Sequence, residues 1–232
     1  MRILITGASK GIGAAIAAEV IKDATALMLV ARSKDLLGNV KEEIQGINQH
    51  CDITTHICDV AEESDVDKLM HDVETDHGGL DALVNCAGFA IPATSVQETT
   101  PEIWKEMFRV NVFSAYLMVR SSIPLLSSSS NPCIVNIGST AGISARPGWS
   151  AYAASKAAMV NFSNTMAEEL KPYGIRVHCL APGRTATELR KVLAPDEDQS
   201  TIMQPDAVAR VTRFLIGPDA DVISGQTIQV RL

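Results

Sequence analysis

The sequence has no C-x-x-C pair. Its five cysteines, Cys51, Cys58, Cys86, Cys133 and Cys179, are odd in number and widely spaced. That excludes a zinc knuckle or a thioredoxin-type motif. It leaves the thiols to be read as buried apolar side chains in a reducing compartment. Positive charge is also short, with 20 Lys+Arg against 27 Asp+Glu and a net charge of −7. Such a balance argues against a nucleic-acid or anionic-membrane partner. No apolar run approaches the roughly 18 residues that a membrane span needs. The first strand begins at Arg2, which leaves no room for a leader segment, so a cytoplasmic location is expected. The histidines His50, His56, His71, His77 and His178 show no metal-like pairing, and no metal is expected.

What is present is an alternation. Hydrophobic residues make up 46% and charged residues 20% of the 232 residues, as in globular chains. Short apolar runs such as "RILIT" (2–6), "ALMLVA" (26–31), "THICDV" (55–60), "LDALVNCAG" (80–88), "CIVNIGS" (133–139), "IRVHCLAPG" (175–183) and "QTIQV" (226–230) are separated by stretches with helical spacing. One long helix is predicted over about 100–127, starting near Pro101. The reading is an α/β single-domain, doubly wound (Rossmann) fold over 1–232. It has about seven parallel strands with helices on both faces. "SSSSNP" is read as a surface turn.

"TGASKGIG" (6–13) lies between the first strand and the first helix. Gly7, Gly11 and Gly13 let the chain turn tightly, and free N–H groups at the helix start can face a phosphate. Ser9, Lys10 and Ile12 complete this dinucleotide-binding turn. A carboxylate roughly 20 residues on would favour NAD. Instead the second strand ends in Ala31, Arg32, Ser33, with no acid before Asp35. Arg32 and Lys10 suit a 2′-phosphate, so NADP(H) is the expected cofactor. Asp59 and Val60 follow strand three, in reach of an adenine. Asn85, Ala87 and Gly88 follow strand four, in the same crevice. Cys86 has no activating base nearby and is read as packing.

"SAYAASKAAM" (150–159) carries Tyr152 and Lys156 four residues apart in an Ala-rich segment. On a helix the two share one face. A cation beside a phenol lowers its pKa toward a working range. Asn111, inside an apolar helical run, calls for a polar partner.

Taken together, "TGASKGIG", "NCAG", Asn111 in "RVNVFSA", Ser139 in "NIGSTAG", "YAASK" and "APGRTAT" occur in one order over nearly the whole chain. In this the sequence resembles the short-chain dehydrogenase/reductase family. The resemblance implies hydride transfer between a nicotinamide and a carbonyl or alcohol carbon. It implies Tyr152 as proton donor, with Lys156 lowering its pKa and binding the nicotinamide ribose. It also implies Ser139 as donor to the substrate oxygen and Asn111 as holder of a relay water behind Lys156. Pro182, Gly183 and Thr185 would contact the nicotinamide side.

The segment 184–204, "RTATELRKVLAPDEDQSTIMQ", is expected to be a short, open substrate loop. Arg184, Arg190 and Lys191 beside the cleft suit an anionic substrate. Two substrates compete. The core is similar to 3-oxoacyl-carrier-protein reductases, which implies a small-molecule or carrier-bound ketone or thioester. The stretch "PGRTATELR…PDED" and the tail "SGQTIQVRL" are similar to modules that reduce a pentulose phosphate. A different class, a cofactor-binding sensor without turnover, is the third alternative. The tail departs from the family's usual glycine-rich end. A homodimer or homotetramer is therefore expected through the helices at 101–127 and 150–173.

Overall fold

In the computed structural model, which describes residues 1–232, seven parallel strands form one sheet. The strands are β1 (Arg2–Thr6), β2 (Ala26–Ala31), β3 (Asp52–Ile57), β4 (Ala82–Asn85), β5 (Cys133–Ile137), β6 (Arg176–Pro182) and β7 (Gln226–Val230). Their order is β3-β2-β1-β4-β5-β6-β7. The chain runs outward from β1 to β3, then returns to β4 on the other side of β1. That reversal opens a crevice at the carboxyl ends of β1 and β4.

Side chains alternate along each strand, so one run of sequence feeds two cores. Ile3 and Ile5 of β1 join a cluster with Ile16, Val20, Leu37 and Leu215. Those residues belong to α1 (Gly11–Val20), α2 (Lys34–Ile44) and α8 (Pro205–Ile216). Leu4, between them, faces Val66, Leu117 and Ala167. These lie on α3 (Glu63–His77), α5 (Ser114–Leu126) and α6 (Ser150–Glu169). Ile3, Leu4 and Ile5 are fully buried, each stabilising the fold by about 1.5–3 kcal/mol.

Two elements differ from the sequence expectation. β3 spans Asp52–Ile57 instead of 55–60, because Asp52 pairs with Ala26 and Ile57 with Ala31. This is the sheet edge, where a strand with a polar outer face is hard to distinguish from loop. The single helix over 100–127 is in fact α4 (Pro101–Phe108), a π-helical turn (Arg109–Phe113) and α5. Thr100 caps α4 by accepting from the Ile103 N–H at 3.3 Å, and Pro101 follows it.

The segment 184–204 carries its own local structure. Thr187 accepts from the Arg190 N–H at 3.0 Å and caps α7 (Glu188–Leu193). The Ala186 N–H donates to the Met203 carbonyl at 2.8 Å, closing the segment at its base. No helix is long and apolar enough to cross a membrane.

Candidate active site

The crevice is a cleft of about 890 Å³. Along its floor run Gly7, Ser9, Lys10, Gly11, Ile12 and Gly13. Gly7 has φ +65°, and a β-carbon there would lie 2.9 Å from the Ala87 backbone. A β-carbon at Gly13 would lie 2.2 Å from the Gly7 carbonyl oxygen. Only glycine permits this turn to coil against the β4 loop. Thr6, which the sequence reading passed over, fastens the two loops. Its Oγ1 accepts from the Cys86 and Ala87 N–H groups at 3.0 and 3.1 Å.

Arg32 and Ser33 from the end of β2, and Asp59 and Val60 beyond β3, line the same cleft. Asp59 is held by Arg109 at 3.4 Å and accepts from the Ala61 N–H at 3.1 Å. Ala87 and Gly88 line the cleft as expected, and so do Pro182, Gly183 and Thr185. Asn85 does not line it. Its amide donates to Asn136 Oδ1 at 2.8 Å, and Asn136 donates to Ser163 at 2.9 Å, behind the cleft wall. Asn85 is the last residue of β4 and is held in register with Asn136, so its side chain stays with the sheet and not with the loop that follows.

Ser139, Tyr152 and Lys156 meet in the cleft. Ser139 stands just beyond β5, where its Oγ accepts from the Ala141 N–H at 3.1 Å. Tyr152 and Lys156 lie one turn apart on α6 and are buried. The Lys156 Nζ donates to the Ile137 carbonyl at 2.8 Å and sits 5.9 Å from the Tyr152 ring centroid. The ring stands in an apolar cluster with Met107, Ala141, Ala151 and Leu193.

Burial pushes the Tyr152 phenol up, opposed by hydrogen bonding to Ser139 and by the charge of Arg190. Burial likewise pushes the Lys156 ammonium down. The Cys86 thiol lines the cleft but is pushed up to about 12 by burial, so it is inert there.

Asn111, expected to hold a water, lies outside the cleft lining. Its Oδ1 accepts from the Phe89 N–H at 2.7 Å, while its Nδ2 donates to the Phe89 carbonyl at 2.9 Å and to Ser155 Oγ at 3.0 Å. The π-helical turn aims this side chain at the β4 loop and at α6. Asn111 thus ties the β4 loop to α6, with Ser155 as its partner there. Gly142 was also missed. A β-carbon there would lie 2.5 Å from the Lys156 carbonyl carbon, so its absence lets α6 close on the loop after β5.

The arginines of the substrate segment are not free. Arg190 pairs with Glu197 at 2.5 Å and Lys191 with Glu188 at 2.6 Å, while Arg184 reaches Glu197 at 3.3 Å. Each of these three cations therefore has a carboxylate partner. No three His, Cys, Asp or Glu side chains converge as a metal site would require.

A glycine turn under a reversing parallel sheet, with Ser, Tyr and Lys gathered at the neighbouring strand end, defines a nucleotide-binding fold built for oxidoreduction. The family model for short chain dehydrogenases matches residues 1–198, and the chain belongs to that family. The human protein named dehydrogenase/reductase SDR family member 4 is 30% identical over 237 residues, covering 98% of this chain and 84% of its own length. A putative short chain dehydrogenase from Escherichia coli CFT073, solved in complex with NADPH, is similar in structure with a TM-score of 0.92 at 28% identity. The match covers 99% of this chain and 96% of that one. The 3-ketoacyl-(acyl-carrier-protein) reductase of Brucella melitensis, solved with NADH, matches with a TM-score of 0.89 at 30% identity, covering 98% and 95%.

Proposed function

We propose that the protein is an NADPH-dependent reductase that converts a carbonyl to an alcohol, with Tyr152 as proton donor and a 3-oxoacyl thioester or related ketone as substrate. The observation that carries this reading is the convergence of Tyr152, Ser139 and Lys156 in the cleft that the glycine turn opens.

The residues present fit a dinucleotide. The turn at Gly7–Gly13 offers backbone N–H groups at the start of α1. Arg32 and Lys10 line the adenosine end and favour a 2′-phosphate. Gly88 and Gly183 leave room along the nicotinamide side, with Thr185 beside them. When bound, the reduced nicotinamide supplies the hydride.

The chain's own residues do the rest. Ser139 Oγ holds the substrate carbonyl oxygen and stabilises the negative charge that develops on it. Tyr152 Oη gives its proton to that oxygen as the alkoxide forms. Lys156, a helical turn away, binds the nicotinamide ribose and replaces lost solvation beside the phenolate. Its present hydrogen bond to the Ile137 carbonyl fixes the ammonium in place for that role. Asn111 holds the Phe89 loop and α6 at a constant separation. The exposed Trp104 of α4, Phe113 of the π-helical turn and Tyr116 of α5 support a homodimer or homotetramer.

The test is Tyr152→Phe. Consumption of NADPH with an acetoacetyl thioester and with neutral ketones should fall by at least about a hundredfold. NADPH binding should stay near wild type. A Phe variant that retains turnover refutes the assignment.

A further inference from the structure

The pairing of cations around 184–204 bears on which carbonyl the cleft accepts. Glu197 takes the Arg190 fork through two bonds, Nε to Oε2 at 2.5 Å and Nη2 to Oε1 at 2.8 Å. Both side chains are largely withdrawn from water, at 14% and 16% exposed, whereas Arg184 is 67% exposed. The guanidinium carbon lies 5.3 Å from the Trp149 ring centroid. Trp149 in turn meets Tyr152 edge-on, 6.2 Å away at 85°. So the arginine drawn in beside Tyr152 is covered on one side by an indole and filled in its fork by a carboxylate. Leu189 and Leu193 of the same short helix complete an apolar wall around Tyr152. Arg146 and Arg231, which also line the cleft, are exposed and solvated.

We propose that Glu197 is a specificity-determining residue. By holding Arg190 it withholds that charge from ligands, and the cleft selects carbonyl compounds with no charge close to the reacting carbon. This rests on carbonyl reduction at Tyr152. An anion next to the carbonyl meets an arginine whose charge Glu197 already offsets. To take the Nε and Nη2 donors of Arg190 it must displace a bidentate carboxylate. A neutral ketone loses nothing by the same arrangement, so discrimination comes from the cation that Glu197 withholds. A charge carried many atoms from the carbonyl stays at the exposed rim and is tolerated. Phosphorylated or carboxylated small ketones are rejected.

The test uses a matched pair, ethyl acetoacetate and acetoacetate, with NADPH. In the wild type, kcat/KM should favour the ester by about a hundredfold or more, the difference lying chiefly in KM. Glu197→Gln frees Arg190 and should narrow that ratio by at least about tenfold. Glu197→Asp keeps the charge and should hold the wild-type preference. Adding Arg190→Met to Glu197→Gln removes the freed cation and should restore the preference for the ester. Equal use of both compounds by the wild type, or a preference for acetoacetate, overturns the proposal. So does an unchanged ratio in Glu197→Gln that still binds NADPH normally. If the wild type reduces neither compound nor any other ketone, the functional reading fails separately. The dissociation constants of the same two compounds, read by quenching of tryptophan fluorescence, then decide the selectivity. Tighter binding of the ester that is lost in Glu197→Gln supports the proposal, and equal binding refutes it.

Discussion

Replacing His178 by leucine should flatten the acid side of the stability profile. His178 lies in the middle of β6, between Val135 of β5 and Gln226 of β7, and is fully buried. Neither ring nitrogen has a hydrogen-bond partner. Burial, assisted by the charge of Arg176 two residues earlier on the strand, pulls the imidazole down from 6.5 to about 4. Between those values the unfolded chain binds a proton at this residue and the folded chain does not. Stability is therefore fully present above the unfolded value and is lost as pH falls toward the folded one. The whole difference amounts to about 3 kcal/mol, of which about 2 kcal/mol is already lost between about pH 7.5 and about pH 5. Urea denaturation at those two pH values, at fixed protein concentration, measures it. The His56 imidazole, also lowered by burial, titrates in both proteins and cancels in the comparison. His178→Leu should lose about 2 kcal/mol less than wild type over the interval, whatever its stability at neutral pH. Parallel losses in the two proteins would refute the reasoning.

Arg32→Asp should reduce kcat/KM with NADPH and raise it with NADH, changing their ratio by at least about tenfold, because it replaces a donor for the 2′-phosphate by a like charge. An unchanged ratio in steady-state assays with the two cofactors removes Arg32 from cofactor choice. Asn111→Ala leaves the Phe89 N–H and carbonyl without their partners. It should cost about 2–3 kcal/mol in chemical denaturation and lower kcat, whereas a wild-type denaturation midpoint would show that the tie is dispensable.

Much of the fold was legible because its signals are local. Strands β1, β2 and β5 are continuous apolar runs, as strands covered on both faces must be. The glycine turn announced itself because a tight turn at positive φ needs glycine whatever lies around it. Tyr152 and Lys156 were legible because helical spacing alone puts them on one face. The break in the helix at Arg109–Phe113 left no such mark, since nothing in "RVNVF" forbids a regular helix. The extra residue in that turn is stabilised by Asn111 bonding to Phe89 and Ser155, contacts between residues 22 and 44 positions apart. The edge strand β3 was misplaced by three residues for a similar reason. Its register is set by pairing with β2, and its own polar alternation says little.

By itself, the sequence determined the layered parallel sheet, the turn that receives a dinucleotide and the residue types that can move a proton. These follow from periodicity and from backbone conformations that only certain residues tolerate. The tertiary structure decided what each charge is free to do. It turned Asn85 to the wall and made Asn111 a tie between two walls. It aimed Lys156 at the Ile137 carbonyl and joined Arg190 to Glu197, seven residues away along a loop. An ionic side chain's role depends on which partner lies within about 3 Å, and that distance exists only once the chain has folded.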